Sequence, residues 1–345
     1  MREVGTAVDE WGKYMNELYE IKKKEVASGC STEEGMDLFG ALIRESGILE
    51  EPANKEQTLQ KSDILGNAFI IMLAGHETTA NVLHFSLILL AMNCASQRRL
   101  QEDIDRTLQG KPVEKWTYEE EIPRLWNGMA AAVMNETLRV IPPIITIPKS
   151  TAARPQTVTI GDNQHTIPGD CNVMLSSAVH RNPRYWPHTD ATDLNRFRPE
   201  RWLLDPADTS TSPIQRTTSS LEARGEIMEE ATSTHLFKPA KGSFIPFSDG
   251  YRSCIGRRFA QVELLAVFAV IFRDYSVELA VDEYATDAEI AAMPKGGEER
   301  RRVWQKAADR ADYLMTKTMT SIITSQMRGT DVPLRFVRRG EERFM

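Results

Sequence analysis

The segment FSDGYRSCIG, residues 247–256, has the residue types and spacing needed to hold an anionic sulfur. Gly250 and Gly256 let the backbone turn sharply and approach a partner closely. Cys254 precedes a helix predicted over 257–272, so the helix's positive end and free amides favour a thiolate there. Arg252 adds a cation two residues away. The set suits a thiolate beside an anionic cofactor group. A lone cysteine is usually a small buried hydrophobe. Here the ten-residue spacing weighs against that reading.

A second candidate is AGHETT, residues 74–79, in the middle of an apolar run. A carboxylate and a hydroxyl inside such a helix need a reason. A threonine in such a place can also simply bond back to a carbonyl one turn earlier and bend the helix. His76-Glu77 starts a zinc-protease pattern, but Ala80 stands where the second histidine is required. A third candidate is the pair Glu136 and Arg139, at i,i+3 spacing on a predicted helix. Such pairs are ordinarily surface ion pairs worth about a few tenths of a kcal/mol.

These residues need elements to carry them. Helical periodicity predicts helices over about 8–28, 64–95, 96–108, 124–140 and 257–272. Short β-branched stretches at 157–160, 164–167 and 171–176, separated by Gly-Asp and Pro-Gly turns, predict small strands and hairpins. A last strand is predicted at 333–337. Residues 205–235, rich in Ser, Thr and charge, read as an exposed, flexible insertion. The fold class is mainly α with a small β portion, and no internal repeat is visible.

The chain has 345 residues, 41% hydrophobic and 26% charged, with a formal net charge of -7. That is a globular composition with no electrostatic footprint for nucleic acid. Cys30, Cys94, Cys171 and Cys254 form no CxxC pair. This argues against a disulfide scaffold or a structural zinc and fits a reducing compartment. The charged, amphipathic N-terminus lacks the apolar core of a signal peptide. The run 64–95 carries His76 and Glu77 near its middle, and a carboxylate there is costly in lipid. A long helix buried in protein is expected instead. A transporter built on this run would require further spans, and the sequence offers none.

Four motifs in order now carry a resemblance: AGHETT, ETLR at 136–139, FRPERW at 197–202 and FSDGYRSCIG. Together they resemble the cytochrome P450 family, whose cysteine loop reads F-x-x-G-x-R-x-C-x-G. The resemblance implies the C-terminal part of that fold: a single catalytic domain over 1–345 that lacks the family's N-terminal third. It implies haem b as cofactor and Cys254 as the iron ligand. Arg252 would bind a propionate, Phe247 would pack beside the sulfur, Gly256 would complete the turn, and Ala260 would lie against the porphyrin. Thiolate ligation pushes electron density onto the iron. Gly75 would leave space beside the haem, while Thr78 and Glu77 would bond and protonate bound dioxygen. Glu136, Arg139 and Arg201 would form a buried charge network holding the cysteine loop.

Lys149 stands where many relatives carry a propionate-binding arginine, and lysine keeps the charge without the bidentate fork. Residues 143–148, with Ile144, Ile145 and Ile147, would line an apolar substrate pocket. His180 is expected to be a packed, hydrogen-bonded histidine with no ligand role. The implied activity is a monooxygenase acting on a small apolar substrate, with a role in secondary metabolism. Its electrons would come from NADPH through NADPH–cytochrome P450 reductase, with cytochrome b5 as an optional second partner. The expected location is the cytosolic face of the endoplasmic reticulum membrane, with membrane association only through an anchor on an intact form. The alternative is a truncated, non-catalytic haem–thiolate relative.

Overall fold

A computed structural model describes residues 2–28, 37–46, 59–190, 192–204 and 236–344. The expected insertion at 205–235 and Cys30 lie outside the described residues. The chain divides into two compact units, residues 1–77 and 78–345.

The first unit contains α1 (Arg2–Ala27), α2 (Leu38–Glu45) and the first half of α3 (Lys61–Met92). Its core is three i,i+4 pairs, one per helix: Met15 with Tyr19, Phe39 with Ile43, and Ile64 with Ala68. That spacing puts each pair on one helical face. Asp37 starts α2 by accepting the Gly40 N–H at 2.7 Å. Further along α3, Phe69, Ile70, Met72 and Leu73 are exposed. The expected burial of this helix is therefore interrupted over 69–73.

In the second unit, α3 buries Val82, Phe85, Ile88, Leu89, Leu90 and Ala91. Around it come α4 (Cys94–Leu108), α5 (Tyr118–Trp126), α6 (Met129–Val140) and α7 (Arg257–Asp274). The single helix expected over 124–140 is two helices, broken at Asn127 and Gly128. Asp103 of α4 explains the break. Its carboxylate accepts the Met129 N–H at 2.7 Å, capping α6, and a Cβ on Gly128 would collide with it. Helix α6 is buried on nearly every side, as suits the central helix of a core.

The β portion among the described residues is four antiparallel pairs. β1 (Thr146–Ser150) pairs with β4 (Asn172–Ser176), and β2 (Gln156–Ile160) with β3 (Asn163–Ile167). β5 (Tyr275–Leu279) pairs with β8 (Leu334–Arg338), and β6 (Met319–Ser321) with β7 (Ser325–Met327). Between β5 and β6 lie a short α8 (Asp287–Ala292) and the long α9 (Glu298–Thr318).

The chain end is laced into this region. Glu278 of β5, 3% exposed, accepts the Arg343 N–H at 2.6 Å and its Nε–H at 2.8 Å. Ser276 donates to Glu342 at 2.7 Å, and Arg300 of α9 donates to the Arg343 carbonyl at 2.9 Å. No single helix among the described residues is long and apolar enough to cross a membrane.

Candidate functional site

Glu136 and Arg139 sit one turn apart on α6, and both are fully buried. A buried carboxylate is tolerated only when its lone pairs are satisfied. Glu136 meets that condition. Its Oε2 accepts from Arg139 Nε at 2.7 Å and from the Trp202 indole at 2.9 Å. Its Oε1 accepts from Arg139 Nη2 at 2.8 Å, Arg201 Nε at 2.9 Å and the Arg198 N–H at 2.9 Å.

Arg139 spends its remaining donors on the carbonyls of His180, Leu194 and Arg196, at 3.2, 2.8 and 3.3 Å. Arg201 reaches Asp193 Oδ2 at 3.1 Å and the Pro187 carbonyl at 2.8 Å. Burial pushes the Asp193 carboxyl upward, but its hydrogen bonds to Arg201 and the arginine's charge outweigh this and hold it below the usual range. Sequence reasoning brought Glu136, Arg139 and Arg201 together and missed Asp193 and the Trp202 indole. Asp193 stands four residues before Phe197 and carries no motif of its own. Trp202 was visible in FRPERW, but its N–H role was not.

The network reaches the cysteine loop through His180. Its Nε2 accepts the Ile245 N–H at 2.9 Å, and the ring is 0% exposed. Burial, with the Arg139 charge beside it, holds the imidazole pKa down to about 4, so the ring is neutral. An aromatic cluster packs over the same spot. Trp202 and Phe244 have ring centroids 5.0 Å apart, and Trp186 lies 5.2 Å from Trp202.

The loop itself is shaped by its backbone. The Cys254 N–H donates to the Phe247 carbonyl at 2.9 Å. Ser248 and Gly250 take φ values of 63° and 77°, the left-handed region that glycine adopts freely and serine does not. Gly256 caps α7, and a Cβ there would sit 4.0 Å from the Cys254 sulfur. The Ala260 N–H continues the helix from the Gly256 carbonyl at 2.9 Å. Arg257 lies over the Phe247 ring, 5.8 Å from its centroid. Arg252 and Cys254 are exposed. Lys149 of β1 donates to the Ser248 hydroxyl at 2.9 Å and to the Asp249 carbonyl at 3.3 Å.

On α3, Glu77 and Thr78 are half-buried and Gly75 is exposed, with nothing near the position of an added Cβ. Glu77 ends the first unit and Thr78 begins the second.

The donor set decides what the loop could hold. Cys254 presents an accessible sulfur beside Ile255 and Phe259, which are 96% and 75% exposed. Among the described residues no cluster of three or more His, Cys, Asp or Glu side chains could hold a metal by itself. A haem brings its own nitrogen donors and apolar faces, which suits an accessible sulfur next to exposed apolar side chains. The residues present fit a haem.

The sequence profile described as Cytochrome P450 matches residues 1–297. The chain belongs to the cytochrome P450 family. A cytochrome P450 monooxygenase of Arthrobotrys oligospora is 31% identical over 292 residues, covering 81% of this chain and 47% of that protein. Another, from Postia placenta, is 30% identical over 285 residues, covering 81% and 45%. A third, named prx9, from Penicillium rubens, is 27% identical over 291 residues, covering 81% and 47%. The chain thus spans about half the length of these fungal P450 relatives. The P450 fold class, mainly α with a small β portion, is the one seen here. The family match stops just before α9. Membership implies a haem cofactor.

Proposed function

We propose that this P450 is a monooxygenase that inserts one oxygen atom from O2 into a small apolar substrate. The observation that carries this reading is the accessible Cys254 sulfur, its backbone N–H tied to the Phe247 carbonyl and its carbonyl leading into helix α7. Haem b, when bound, supplies oxygen activation and electron transfer. The chain's own residues do the rest. Cys254 would donate the sulfur ligand to the iron. Arg252 is exposed beside it and is suited to a haem carboxylate. Phe247 and Ala260 offer packing faces, and Gly256 leaves room beside the sulfur. Glu136, Arg139 and Arg201 hold the loop's support rigid, with His180 as the link.

On α3, Gly75 keeps the helix surface low, and Thr78 and Glu77 supply a hydroxyl and a carboxylate for proton delivery. Ile145 is exposed and Ile144 and Ile147 are half-buried at the start of β1, suiting an apolar substrate. NADPH through cytochrome P450 reductase is the electron source that fits, with cytochrome b5 as a second donor. The cytosolic face of the endoplasmic reticulum is the matching location.

The test is the reduced carbon monoxide difference spectrum of the haem-loaded chain beside Cys254→Ser. A strongly red-shifted Soret band, absent from the variant, is expected. A band at the shorter wavelength of non-thiolate haem, or none, would overturn the reading and leave a non-catalytic relative.

A further inference from the structure

Lys149 has a second place in this site, apart from the haem carboxylate contact that its position implies. Strand β1 sets it opposite Val173 of β4, half-buried and aimed at the loop rather than along it. Its ammonium spends two of its three donors on neutral oxygens, the Ser248 hydroxyl and the Asp249 carbonyl. The Asp249 carboxylate is engaged within its own turn, its Oδ1 accepting the Gly250 N–H at 2.7 Å. Ser248 is the residue that needs holding. It sits at φ 63°, a conformation unfavourable for an L-residue that persists only where its surroundings fix it. It directly follows Phe247, whose carbonyl takes the Cys254 N–H. A relaxed Ser248 would swing that carbonyl away and release the cysteine.

We infer that Lys149 is a positioning residue for the thiolate loop, clamping Ser248 in its left-handed turn so that the Phe247 carbonyl meets the Cys254 amide. The inference rests on the haem–thiolate reading for its purpose, but the clamp itself belongs to the protein alone. It makes a specific demand. Glycine adopts φ 63° without strain. A loop carrying Ser248→Gly should therefore no longer need the lysine.

The test uses the full chain in four forms: wild type, Lys149→Met, Ser248→Gly and the double variant. Amide hydrogen exchange over 247–256, the Cys254 N–H above all, is read without haem. Lys149→Met should speed it several-fold when Ser248 is present. In the Ser248→Gly background it should change it by no more than about two-fold, a plain failure of additivity. Lys149→Gln replaces the methionine variant if that one does not fold, with the same direction expected. Equal opening in both backgrounds, or no opening in either, overturns the clamp.

A second arm loads each form with haem or with haem dimethyl ester, whose carboxylates are blocked. The loss of thiolate-ligated haem caused by Lys149→Met should persist with the ester. If it disappears, Lys149 is a carboxylate contact and not a positioning residue. Failure of the carbon monoxide band in the wild type would sink the monooxygenase reading and leave the haem-free result standing on its own.

Discussion

Glu136 answers to five donors from four residues, and among the described residues it is the carboxylate paired with Arg139. Glu136→Gln keeps the shape but turns one acceptor into a donor facing guanidinium groups. Breaking one partner of a buried pair leaves an uncompensated charge, at about 3–5 kcal/mol. Urea denaturation should register a loss of that size, and the carbon monoxide band should move toward the non-thiolate form.

His180 gives a pH signature. Its folded pKa of about 4 lies below the ordinary 6.5, so between those values the unfolded chain binds more protons. Stability is fully present above about pH 6.5 and falls as the pH drops toward 4, by on the order of 3 kcal/mol. Denaturation midpoints measured across that window should show the slope, and His180→Gln should flatten it. His180 was legible in the sequence as a packed histidine. Its partner was not, because the Ile245 amide lies 65 residues away and leaves no mark on spacing. The same holds for Lys149. Its charge and position were readable, but the hydroxyl it grips depends on a backbone angle at Ser248 that composition does not encode.

At the scale of elements, the sequence predicted best where turns punctuate it. The hairpin β2–β3 and strand β4 lie within a residue or two of the expected bounds, because Gly161 and Asp170 make the reversals at positive φ. The break between α5 and α6 was missed because the apolar period runs on through it. What ends the helix is a carboxylate from another helix. Gly128→Ala should therefore displace Asp103 and lower stability by about 1–3 kcal/mol. Gly66→Ala, on an exposed stretch of α3 where an added Cβ meets nothing, should raise it by up to about 1 kcal/mol. Thermal midpoints of the two variants should move in opposite directions. Helix α9 was invisible for another reason. Its buried face includes Arg300 and the small Ala307, Ala308 and Ala311 beside only Val303, Leu314 and Met315, too weak an apolar stripe to stand out among its charges.

For the molecule as a whole, the fold class followed from the alternation of long helical periods with a few turn-bounded strands. The uncovered face of α3 did not, since an apolar run reads the same whether covered or bare. A ligand that binds only the folded state must stabilise it with concentration, by about 2.7 kcal/mol at a hundredfold excess over Kd. Haem added to the chain should raise its thermal midpoint in that graded way, and Cys254→Ser should blunt the rise.

The lacing of residues 342–344 across β5 and α9 has a practical side. The carboxylate of Glu278 is shielded from solvent and relies on Arg343 for its counter-charge. Carboxypeptidase trimming past that arginine would strand a buried anion, so digestion should stall there while the fold is intact. An affinity tag joined directly at this end would pull on the same stitch; a flexible spacer after residue 345 keeps the seam closed.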